Sequence, residues 1–97
     1  MKAYMLAFVS VNNYEEFAHS YLSKAVPIVK RYGGITLAVD DTPEYIEGVL
    51  PAGRLVLIEF DSKQKALGFY NDPAYQPLKK WRQGVSTSEA VIFESGL

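Results

Sequence analysis

The 97-residue chain has no cysteine and a single histidine, His19. Without thiols it can form no disulfide, no thiol nucleophile and no cysteine-ligated zinc or iron–sulfur centre. One imidazole excludes a multi-histidine metal site within one chain and leaves no serine–histidine–acid order to argue for. Charge of one sign is also missing. Lys and Arg number ten, Asp and Glu eleven, and the net charge is −1. Bulk electrostatics therefore gives no case for nucleic acid or an anionic membrane as partner. No stretch approaches the roughly 18 apolar residues of a membrane span. "RYGGI" (Arg31–Ile35) lacks the later glycine and lysine that a phosphate cradle needs. Together these absences fit a reducing cytoplasm, and no metal or cofactor is expected.

What is present suits a single domain spanning residues 1–97. A chain this size buries roughly 60–70% of the surface its unfolded form exposes, enough for one modest core. The aromatic share is high at 13%, and seven of those residues are tyrosine. A tyrosine has an apolar body and a polar tip, so it suits pocket walls and subunit interfaces.

Along the chain the hydrophobic period switches repeatedly. "AYMLAFVSV" (Ala3–Val11) follows Lys2 and faintly imitates a signal peptide. It is rich in β-formers and apolar on both parities, and reads as a central strand covered on both faces. Asn13 caps a helix, with Glu16 as capping-box partner. In that helix Phe17, Tyr21, Ala25, Ile28 and Tyr32 recur at helical spacing as the buried stripe. Pro27 should kink it and Gly33 should stop it. "ITLAVD" (Ile35–Asp40) reads as strand two, followed by a connection holding an extended "YIEGV". "RLVLIEF" (Arg54–Phe60) is strand three. Ser62 or Asp61 caps the next helix, "KQKALGFYN". Asp72 and Pro73 open a third, short helix ending near Gly84, and Thr87–Ser95 is the last strand. On the short helix Ala74, Leu78 and Trp81 form the expected packing stripe. Tyr75, Lys79 and Arg82 form an adjacent edge that packing alone does not require.

The order β-α-β-β-α-β, with strands one and three taken as parallel neighbours, implies a ferredoxin-like α+β fold. Its four-stranded antiparallel sheet carries both helices on one face. The other face would be left apolar and open, so a homodimer through the sheet face is expected, with room for a pocket enclosed by it. The same element order suits RNA-recognition modules. Those need stacking aromatics on the central strands, where "RLVLIEF" has aliphatics and a glutamate.

The pattern "Y…GG…IEG…RLVLIEF…A…FYNDPAYQ…R" runs over nearly the whole chain. It combines Gly33-Gly34, Glu47-Gly48, Glu59-Phe60 and Tyr70 with Asp72-Pro73-Ala74-Tyr75. It resembles domain-of-unknown-function family thirteen-thirty, of the dimeric α/β-barrel superfamily. The resemblance implies a ferredoxin-like protomer and a homodimer, and brings no established reaction. The wider superfamily includes cofactor-free oxygenases, small lactone isomerases, haem-degrading enzymes and ligand-binding regulators. The family usually has an arginine where this chain has Val39, in "LAVDD", so an anion contact made there has been lost or moved.

Glu59 is the candidate catalytic residue. It lies in phase with Leu55 and Leu57, on the face away from the helices, where a carboxylate with raised pKa can act as a general base. The plainer reading is a structural ion pair. Arg54 and Arg82 are candidates to grip a carboxylate bidentately, against a solvated charge for Arg54 and a helix-end or dimer contact for Arg82. Tyr4, Tyr21, Tyr70 and Tyr75 can donate hydrogen bonds into a pocket or simply pack. His19 has the only unperturbed pKa near neutrality but lies off the core stripe, where solvent exposure is the plainer reading. The expected function is binding of a small organic molecule in an apolar, tyrosine-lined pocket, with cofactor-free isomerase or oxygenase chemistry if it turns over. The alternative is a non-catalytic ligand-binding or protein-interaction module.

Overall fold

The computed structural model describes residues 1–97. Strand β1 (Ala3–Val11) lies between β3 (Arg54–Phe60) and β4 (Ser86–Glu94), and β2 (Ile35–Asp40) forms the far edge, in the order β2-β3-β1-β4. The double apolar parity of β1 follows from that central place. Ala3 and Met5 are buried beneath the helices, whereas Tyr4, Leu6 and Phe8 stand on the opposite face. The sheet is antiparallel throughout. This corrects the expectation that β1 and β3 run parallel. The first helix returns the chain so that β2 runs the same way as β1, and the next connection then reverses it. β3 therefore enters between β1 and β2 running against both.

The first helical segment has three parts: α1 (Tyr14–Phe17), a π-helical turn (Ala18–Leu22) and α2 (Ser23–Arg31). The Asn13 side chain accepts the Glu16 N–H at 3.0 Å, satisfying an end donor that helix geometry leaves free. The π turn was not anticipated, though the spacing of the stripe accounts for it. Phe17, Tyr21 and Ala25 are four residues apart, and each such step drifts about 40° round a 3.6-residue helix. One wider turn offsets the drift and keeps all three buried on one side. Pro27 lies within α2 on the exposed side. The helix ends in a Schellman motif. Gly33, with φ +75°, donates to the Lys30 carbonyl, and Gly34 donates to that of Val29, both at 3.0 Å.

Helix α3 (Lys63–Asn71) is capped by Ser62, whose Oγ accepts the Lys65 N–H at 3.1 Å. Asp61 instead pairs with Lys2 at 2.8 Å. Asp72 and Pro73 do not open a helix. Asp72 Oδ1 accepts the Ala74 N–H and its carbonyl accepts that of Tyr75, forming a turn. Helix α4 (Gln76–Val85) starts after that turn, with Pro77 in its first turn, where no N–H partner is needed. It runs past Gly84. "YIEGV" forms no strand; residues 41–53 are irregular, with Tyr45 Oη donating to the Pro51 carbonyl at 2.7 Å.

Both helical layers lie on one face of the sheet. Ten side chains form the core, centred on Phe60, Phe69 and Tyr75. No helix is long and apolar enough to cross a membrane. The opposite sheet face is uncovered. Tyr4, Leu6 and Phe8 sit there beside Leu55 and Leu57, with Val91 and Phe93 exposed at its edge.

Candidate functional site

The space between the sheet and the helices is not filled. An open-mouthed cavity of about 990 Å³ lies between the helix-facing side of the sheet and the tyrosine-bearing helices. Nineteen of its 29 lining residues are hydrophobic, so its few polar groups dominate what it can recognise. This pocket lies within a single chain, on the side of the sheet opposite the face expected to join two copies. The outer sheet face remains a separate surface.

Tyr21, Arg54, Tyr70, Tyr75 and Arg82 line the cavity. Glu59, Tyr4 and His19 do not. Glu59 stands on the open face beside Lys2, at 3.5 Å, and opposite Tyr4, whose ring lies against Phe93. His19 is exposed on the π turn, where its carbonyl accepts the Ser23 hydroxyl. Val39 lines the cavity wall. No group of three or more histidine, aspartate or glutamate side chains is gathered to hold a metal ion.

Helix α4 supplies the deepest charge. Tyr75 and Arg82 are seven residues apart, so they share one face of the chain entering and following α4, and that face points inward. Tyr75 is 3% exposed and Arg82 9%, whereas Ala74, of the expected packing stripe, is exposed. Leu78 and Trp81 of the expected stripe do pack against the core, but Tyr75 and Arg82 of the adjacent edge are the more deeply buried pair. Trp81 packs on Phe17 from the flank. Arg82 donates through Nη1 to the Ser88 hydroxyl of β4, and no carboxylate lies within 4.0 Å of its guanidinium. A guanidinium is always protonated, and this buried one is met by hydroxyls, of Ser88, Tyr75 and Tyr21, rather than by a carboxylate.

Tyrosines surround it. Tyr21 and Tyr75 hold their hydroxyls 2.5 Å apart. Burial pushes the Tyr21 phenol up, the Tyr75 hydroxyl adds to this, and the charge of Arg82 only partly opposes it. Tyr21 therefore stays protonated at physiological pH. One hydroxyl of the pair donates to the other, which leaves a second O–H free to donate elsewhere. An aromatic path continues from Tyr75 to Phe69, with centroids 4.5 Å apart, and on to Phe60. The result is a donor-rich, cationic pole in an apolar cavity.

Among the lining groups that escaped the sequence reading are Tyr14, Asp41 and Ser88. Arg54 donates through Nε to Asp41 at 2.6 Å and through Nη1 to the Tyr14 hydroxyl, and its guanidinium lies 3.9 Å from the Tyr14 ring centre. Only strand register reveals these neighbours. Ser88 and Arg54 are both partners of Val9, on β4 and β3 respectively, and no local pattern links residues so far apart in sequence.

Residues 2–95 match the model of a family described as a domain of unknown function, DUF1330. Among solved structures the chain is similar to RPA0582, a protein of unknown function from Rhodopseudomonas palustris. The TM-score is 0.77 at 18% identity, over 96% of this chain and 81% of that one. It is also similar to SnoaB, a cofactor-independent oxygenase from Streptomyces nogalater, with TM-score 0.67 at 15% identity over 99% and 94%. An antibiotic biosynthesis monooxygenase-like protein from Nitrosomonas europaea aligns over the full length of both chains, with TM-score 0.62 at 14% identity. At these identities the likeness shows the ferredoxin-like fold alone. No curated protein matches the chain.

Proposed function

The chain belongs to the DUF1330 family, whose function is unknown, and we propose that it binds a small organic acid with an apolar body in the cavity between sheet and helices, as a homodimer joined through the open sheet face. The observation that carries this is Arg82: 9% exposed, bonded to Ser88, and facing an apolar cavity with no carboxylate beside it. A carboxylate ligand would satisfy the fork of the guanidinium, and the free hydroxyl of the Tyr21–Tyr75 pair adds a third donor.

Such a pole also stabilises negative charge developing on a substrate oxygen, as in enolisation or the cofactor-independent oxygenation named for SnoaB. A second reading, non-catalytic ligand binding, draws on a different observation. No histidine lines the cavity, Asp41 is bound to Arg54, and the other lining carboxylate, Glu89, belongs to an exposed residue. A base role for Glu59 would need a separate site on the sheet face.

Titration with 4-tert-butylbenzoate, followed by calorimetry at neutral pH, tests the binding reading. Arg82→Met is expected to weaken binding about 10- to 100-fold, the range for losing charge-assisted hydrogen bonds, while Glu59→Gln leaves it unchanged. Binding by a folded Arg82→Met protein as tight as the original would remove the reading. Where Arg82→Met does not fold, Ser88→Ala, which frees Arg82 without removing it, should retain binding.

A further inference from the structure

Two arginines line the cavity, and the register shows how they are placed. Val9 of β1 pairs with Arg54 on one side and Ser88 on the other. Arg54 and Ser88 therefore lie level, about 10 Å apart across two strand spacings. Both point toward the helices, since Arg54 stacks on Tyr14 and Ser88 receives Arg82. Val9 is thus flanked by Arg54 on one strand and by Ser88, which holds Arg82, on the other. Four residues along β1, about 13 Å away, the lining is mostly apolar, with Met5, Ile58, Ala25, Val29 and Phe69 beside Thr36 and the exposed Lys30.

The two arginines are not equivalent. Arg82 has no carboxylate. Arg54 has Asp41, but the Asp41 side chain is 68% exposed at the start of the irregular connection, whereas that of Arg54 is 22% exposed. An ion pair open to water on its carboxylate side is weak and readily exchanged. Stacking on Tyr14 keeps Arg54 in place when Asp41 leaves. Glu89, beside Ser88 on β4, is exposed and pairs with neither arginine within 4.0 Å.

We propose that the cavity is a diacid site: Arg82 takes one carboxylate, Arg54 exchanges Asp41 for a second at the same end, and the ligand's apolar body extends toward Met5. This rests on the reading that Arg82 holds an organic acid, and it makes Arg54 the residue that selects diacids over monoacids.

The test compares 4-tert-butylbenzoate with 5-tert-butylisophthalate, which carries a second carboxylate on a similar body, by calorimetry on the full-length protein. The diacid is expected to bind at least about tenfold tighter, the gain of one further bidentate pair. Arg54→Met should abolish that advantage and leave the monoacid within about twofold. Asp41→Asn should raise diacid affinity, because the ligand no longer competes for Arg54, and it keeps the test informative if Arg54→Met does not fold. A diacid bound no tighter than the monoacid overturns the proposal, as does an Arg54→Met protein that loses both acids alike. If the monoacid binds in an Arg82-dependent way and the diacid gains nothing, this inference fails alone. If neither acid binds, the reading beneath it fails too.

Discussion

Gly34 has no room for a side chain. A Cβ there would lie 2.4 Å from Val29 Cγ1 and 2.9 Å from Phe60 Cε1, and Phe60 is fully buried. The neighbouring Gly33 serves a different need, its φ of +75°. Gly34→Ala is expected to destabilise by about 1–3 kcal/mol, the usual cost of overpacking, read as a lower urea midpoint. A variant as stable as the original would mean that the helix end can move away from the sheet. At the same scale, the eight candidate side chains divided by burial and direction rather than by chemistry. Tyr75 and Arg82 turned inward because the Asp72–Tyr75 turn sets the phase of α4. Glu59 turned outward because Phe60, its neighbour, occupies the core.

Among elements, the tie between α2 and the α3–α4 turn has a pH signature. The Tyr32 hydroxyl donates to Asp72 Oδ2 at 2.6 Å. This bond, helped by the Ala74 N–H, holds the Asp72 carboxyl below its ordinary value of 3.8. A carboxyl depressed in the folded state contributes stability that is present above the unfolded pKa and is lost as pH falls through the folded one. Tyr32→Phe should therefore lower the urea midpoint at pH 7 and reduce the midpoint's fall below about pH 4. Equal acid sensitivity in the two proteins would show that the bond does not persist in solution. The π turn also belongs to this scale. It carries Tyr21, whose hydroxyl meets that of Tyr75.

For the whole molecule, two surfaces follow from one layered arrangement. The helices cover one face of the sheet at a distance that leaves a cavity, and nothing in the chain covers the other. A face bearing Leu6, Phe8, Leu55, Leu57 and Val91 is costly to leave in water. Sedimentation equilibrium at micromolar concentration is expected to give twice the chain mass. Leu57→Lys, at the middle of that face, should shift the protein toward monomer. A stable monomer in the original protein would remove the homodimer proposal and leave the cavity untouched, since the two lie on opposite sides of the sheet.

Much of the fold was legible locally. The period-two and helical patterns, the Asn13 cap and the Gly33 stop are properties of neighbouring residues, and the family pattern spans them. Phase and register were not. Whether Asp72-Pro73 opens a helix or a turn depends on Gln76, whose amide donates to the Tyr70 and Asp72 carbonyls. The direction of β3 relative to β1 depends on how two connections reverse the chain. The sequence by itself determined which elements form, because short-range hydrogen bonding and side-chain periodicity decide that. Only the tertiary structure decided that Arg54 and the Ser88 that holds Arg82 flank Val9 while Glu59 stays outside, because pairing across three strands brings together residues that no local interaction connects.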